Sequence, residues 1–93
     1  MEFEWDDAKS DRCFEERGFD FVHAAQAFFD PQRRVRADAR HLYGEDRYQL
    51  MGQIDGRVFV VVYTPRAHGV RIISARKANR REVQVYDDHT HDD

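Results

Sequence analysis

The stretch Val58-Phe59-Val60-Val61-Val62-Tyr63 constrains the fold more than any other part of this chain. An unbroken apolar run of this length does not suit a strand with one wet face; it fits a central strand covered on both sides. Asp55-Gly56, just upstream, is a strong two-residue hairpin signal, so the run is expected to follow an antiparallel partner. That partner is legible. Tyr48, Leu50, Gly52 and Ile54 alternate with Gln49, Met51 and Gln53, which puts the apolar set on one face.

The same period of two extends outward. Arg33 to Ala37 reads as a polar edge strand, Pro65 to Gly69 as a turn, and Val70 to Ala75 as the last strand. Before residue 32 the texture differs. Phe3-Glu4-Trp5 is a short strand, and Asp6 is placed to cap a helix ending at Arg17 and Gly18. Asp20 caps a second helix, with Phe21, Ala25, Phe28 and Phe29 along one face, closed by Asp30-Pro31. Asn79 and Glu82 have capping-box spacing and start a C-terminal helix through Val83 and Tyr86. The order β-α-α-β-β-β-β-α predicts an α+β fold. It is a single small domain, an antiparallel β-meander with two N-terminal helices and one C-terminal helix. Residues 1–88 form that domain, and 89–93 are expected to be an acidic, disordered tail.

Composition narrows the class. A chain of 93 residues has room for one core. Its apolar runs fall far short of the roughly 18 residues that a membrane span needs, and MEFEWDD is too acidic to open a secretory signal. Cys13 is the sole cysteine and cannot close an internal disulfide, so a cytoplasmic protein is expected. Charge is segregated. Residues 1–31 carry nine acids against Lys9, Arg12 and Arg17, whereas 32–82 carry twelve Lys/Arg against five acids. A basic middle between acidic ends suggests a local anion site. His89 and His91 supply two of the three or four ligands a metal usually takes. Neither a metal nor a cofactor is expected.

Four ordered blocks carry a family resemblance. They are Phe3 to Asp6 with Lys9, Gly18, Phe21, Ala25, Phe28 and Asp30-Pro31; Arg40-His41 with Gly44 to Tyr48 and Gly52; Val61 to Arg66 with Val70 to Ala78; and Arg80-Arg81-Glu82 with Tyr86. Over residues 3–86 the chain resembles the BrnT toxins, the toxin half of type II toxin–antitoxin pairs. The resemblance implies a RelE-like fold and a metal-independent endoribonuclease. It also implies a BrnA-like ribbon-helix-helix antitoxin, expected in a heterotetramer, with operator DNA touched only through that antitoxin. Family members usually carry Asn at the place of Cys13 and Lys-His at the place of Glu16-Arg17. Those departures leave an alternative open: a homologue weak or inactive in catalysis that binds its antitoxin and acts in operon autoregulation.

Metal-free RNA cleavage directs the ribose 2′-OH at the adjacent phosphorus. It needs a base, cations for the phosphorane and an acid for the leaving oxygen. His41, Glu45 and Arg47 bring these group types into one short segment, with His41 or Glu45 as base and Arg47 as phosphate fork. Arg66 and Arg76 are expected to complete the catalytic set. Strict alternation along the last strand places Arg71 on the side opposite Arg76, as a structural partner for an acid. Trp5, Lys9, Lys77, Arg80, Arg81 and Tyr86 are the candidate substrate contacts.

Overall fold

The computed structural model describes residues 1–38 and 44–90. The elements are β1 (Glu2–Trp5), α1 (Asp7–Arg17), α2 (Phe21–Ala24) running into a 3-10 segment (Ala25–Phe29), β2 (Arg34–Ala37), β3 (Tyr48–Ile54), β4 (Arg57–Arg66), β5 (Gly69–Lys77) and α3 (Arg80–Thr90). The sheet order is β1-β5-β4-β3-β2.

Strands β2 to β5 form the expected meander, with Asp55 and Gly56 both at positive φ in the β3–β4 hairpin, as a type I′ turn requires. β1, however, pairs parallel to β5, with Phe3 opposite Val70 and Trp5 opposite Ile72. The sheet is therefore mixed rather than a purely antiparallel meander. Alternation in Phe3-Glu4-Trp5 fixes a face but not a direction. The direction is set where the two rings find partners, Phe3 edge-on to Phe28 and Trp5 edge-on to Phe21.

β4 is covered on both faces. Phe59 and Val61 join Leu50, Ile54, Ile72 and Ala75 beneath α1, α2 and the 3-10 segment. Val58 and Val60 join Met51 beneath α3, which contributes Tyr86. The second helix is shorter than its spacing suggests: α2 gives way at Ala25 to 3-10 geometry. The tighter winding turns Phe29 away from the face shared by Phe21 and Phe28, leaving it 67% exposed.

Two polar knots hold the layers. The Asp30 carboxylate accepts from the Gln32 and Gln53 backbone N–H groups at 2.8 and 2.6 Å, and from the Tyr86 hydroxyl. Burial pushes its carboxyl up, but those hydrogen bonds, with the Arg33 charge, outweigh burial and hold it below the ordinary value. At the start of α3, Asn79 and Glu82 each accept from the other's backbone N–H at 2.9 Å, the capping box read from the sequence. α3 continues as helix to Thr90. Among the described residues no helix is long and apolar enough to cross a membrane.

One irregularity matters for the site. Val62 pairs with Ser74 and Tyr63 with Ile72, so β5 carries one extra residue, Ile73, as a bulge. The bulge resets the alternation. Arg71 opposite Thr64 and Arg76 opposite Val60 consequently share one face, contrary to the strict alternation expected for them.

Candidate active site

β1 covers the outer edge of β5 only as far as Ile72. The chain leaves the sheet there, Asp6 accepts from the Ala8 and Lys9 N–H groups, and α1 runs along the remaining edge. The Ser10 hydroxyl accepts from Phe21 N–H at 3.0 Å and ties α1 to α2, while the Cys13 thiol lies 3.7 Å from the Ala75 carbonyl. Between α1 and the bulged edge lies an open cleft of about 350 Å³.

Its lining is strongly charged. Lys9, Arg12 and Arg17 come from α1, and Arg47, just before β3, joins them. Among the described residues Glu16 is the one carboxylate on the lining. Four of the described lining side chains are cationic and one is anionic, a formal excess of positive charge around a small cavity. Ile73, Ser74 and Ala75 of the bulged strand complete the lining opposite α1. Cys13 is buried beneath, where burial, the largest influence, pushes its thiol up. A raised thiol pKa disfavours the thiolate, so Cys13 is a packing residue rather than a nucleophile.

Elsewhere the chain's own acids engage its arginines. Arg66 meets Glu45 at 3.6 Å, Arg71 meets Glu4 at 2.8 Å, and Arg76 grips both Glu82 oxygens at 2.7 and 2.8 Å. Arg36 donates to the Gln49 side chain. By contrast, the side chains of Lys9, Arg12, Glu16 and Arg17 are exposed and make no hydrogen bond or ion pair among the described residues.

Of the residues singled out in the sequence, the cleft gathers Lys9 and Arg47. Glu45 and Arg66 form their own pair outside its lining, and Arg76 is bound to α3. Trp5 is half-buried against Phe21, and Tyr86 is buried with its hydroxyl on Asp30. Lys77 lines a separate depression with His23 and Arg57, and Arg80 and Arg81 are exposed at the start of α3. His41 and His91 lie outside the described residues, as does the side chain of His89. Among the described residues no three His, Cys, Asp or Glu side chains cluster as a metal site would need. Arg12, Glu16 and Arg17 were not picked out as site residues. Their signal is helical spacing, since Lys9, Arg12 and Glu16 stand at i, i+3 and i+7, while Asp7, Asp11 and Glu15 fall on the other side.

A family model described as the ribonuclease toxin BrnT of type II toxin–antitoxin systems matches residues 5–82. The chain belongs to this family. The match runs from the end of β1 into the first turn of α3, so every residue lining the BrnT cleft lies inside it. No curated protein sequence matches the chain. As a BrnT toxin it has an antitoxin partner, and ribonuclease activity is the activity of its family.

Proposed function

We propose that this toxin is an endoribonuclease that arrests growth by cutting RNA without a metal, and that the cleft between α1 and β5 is where the RNA backbone binds. The observation that carries the reading is the concentration of Lys9, Arg12, Arg17 and Arg47 around one open cavity. In the reaction a ribose 2′-oxygen attacks the adjacent phosphorus and the 5′-oxygen leaves. Guanidinium groups suit the equatorial oxygens of the phosphorane, because their planar forks donate two parallel hydrogen bonds. Cations gathered around the phosphorane add transition-state stabilisation where the negative charge develops. The RelE-like arrangement implied by the family accords with a sheet carrying helices on both faces.

The antitoxin in this reading is a ribbon-helix-helix protein. Such proteins dimerise, so two toxins and two antitoxins form a heterotetramer that meets operator DNA through the antitoxin alone. An acidic antitoxin segment has a target in a cleft whose described lining is mostly cationic among its charged side chains. Regulated expression in a bacterium, with growth and RNA integrity followed together, tests the reading. Growth arrest with RNA fragmentation, reversed by co-expressing the antitoxin, is expected. Unimpaired growth with intact RNA contradicts it.

A further inference from the structure

We infer that Glu16 is the proton acceptor of the cutting reaction, with Arg12 at the phosphorane and Lys9 as the proton donor to the leaving oxygen; this rests on the cleft being the RNA site. Three observations converge. Among the described residues Glu16 is the one carboxylate lining the cleft, and a carboxylate is a group able to take the 2′-OH proton. It is exposed and makes no hydrogen bond or ion pair among the described residues, whereas Glu45, the other carboxylate considered, is paired with Arg66.

Spacing supplies the third. Lys9 and Glu16 are seven residues apart on α1, two turns, which is about 10 Å along the axis at 1.5 Å per residue. In-line displacement puts entering and leaving oxygens on opposite sides of phosphorus, with base and acid one hydrogen bond beyond each. A separation of about 10 Å along one helix face matches that span. Arg12 stands between them, one turn from either, where a fork meets the equatorial oxygens. The Glu16 carboxylate takes the 2′-OH proton as the 2′-oxygen bonds to phosphorus. The bond from phosphorus to the 5′-oxygen breaks, and that oxygen takes a proton from the Lys9 ammonium. The products are a 2′,3′-cyclic phosphate and a 5′-hydroxyl, and the proton passes back from Glu16 to Lys9 through water.

The test compares the full-length protein with Glu16→Gln and Glu16→His. Single-turnover cleavage of an RNA oligonucleotide is followed across pH, with binding measured on its uncleavable 2′-O-methyl counterpart. Glu16→Gln is expected to cut at least a hundredfold more slowly while binding no more weakly. Glu16→His is expected to recover part of the rate, with the acidic limb of its profile moved upward by about two pH units, the ordinary difference between imidazole and carboxyl. Glu16→Gln cutting at the wild-type rate, or Glu16→His leaving the limb unmoved, overturns the inference alone. A wild-type protein that does not cut RNA overturns it together with the reading on which it rests.

Discussion

The Arg76 guanidinium holds both carboxylate oxygens of Glu82, at 2.7 and 2.8 Å, across the junction where β5 hands over to α3. Glu82 also accepts the Asn79 N–H, so one carboxylate serves an ion pair and a helix cap together. Arg76 is thereby a clamp on α3. Glu82→Ala is expected to lower stability by about 1–2 kcal/mol, from the lost cap and the half-exposed ion pair. Arg76→Ala should lower the melting temperature by several degrees and leave the rate of RNA cutting nearly unchanged. Melting and cleavage measured side by side on both variants check this.

Acid should weaken the fold through the same carboxylate. Hydrogen bonds from Arg76, the first cause, hold the Glu82 carboxyl down to about 2 from 4.5, against burial, which raises it. A depressed folded value contributes stability that is complete above pH 4.5 and lost as pH falls toward about 2. Asp30 has the same sign below its ordinary 3.8. Unfolding free energies from urea titrations at pH 7 and pH 3 should therefore differ, by on the order of 1–2 kcal/mol from Glu82 after solvent screening. In Glu82→Gln that share of the difference should vanish.

Core packing can be tested at Gly52. A Cβ built there would lie 2.3 Å from the Ala27 carbonyl oxygen, backbone against backbone, where the 3-10 segment presses on β3. Gly52→Ala is expected to cost about 1–3 kcal/mol or more, because neither element can yield cheaply. Chemical denaturation measures it.

The cleft cations should act on binding independently of chemistry. Removing two phosphate contacts from a single-stranded ligand flattens the dependence of log affinity on log salt by about 1.4. Arg12→Ala with Arg17→Ala is expected to bind uncleavable RNA more weakly by this rule. Arg80→Ala with Arg81→Ala, outside the cleft, should leave the slope nearly as it is. Titrations at several salt concentrations distinguish the two pairs.

Most of the framework was legible in local signals. Asp6, Asp20 and Asn79 cap as their side chains predict, and the Val58–Tyr63 run is the doubly covered strand. What escaped depends on tertiary position. The parallel docking of β1 is set by where Phe3 and Trp5 find aromatic partners, and the Ile73 bulge by register against β4. The bulge also undid the strand argument that separated Arg71 from Arg76. The proposed site was half visible. Arg47 and Lys9 were named, but charge counting drew attention to residues 32–82, where Glu4, Glu45 and Glu82 engage several of the arginines. Arg12 and Arg17 were hidden by the acids of their own segment, from which only the helix face separates them.

The most direct measurement of the central claim is end-group analysis of RNA incubated with purified, antitoxin-free protein in excess EDTA, beside the Arg47→Ala variant. Losing one such cation from the transition state is commonly worth on the order of 3 kcal/mol, about a hundredfold in rate. The expected result is cutting undiminished by EDTA, with 2′,3′-cyclic phosphate and 5′-hydroxyl ends, at least a hundredfold slower in folded Arg47→Ala. Cutting abolished by EDTA and restored by a divalent ion, or cutting unchanged in Arg47→Ala, would contradict it.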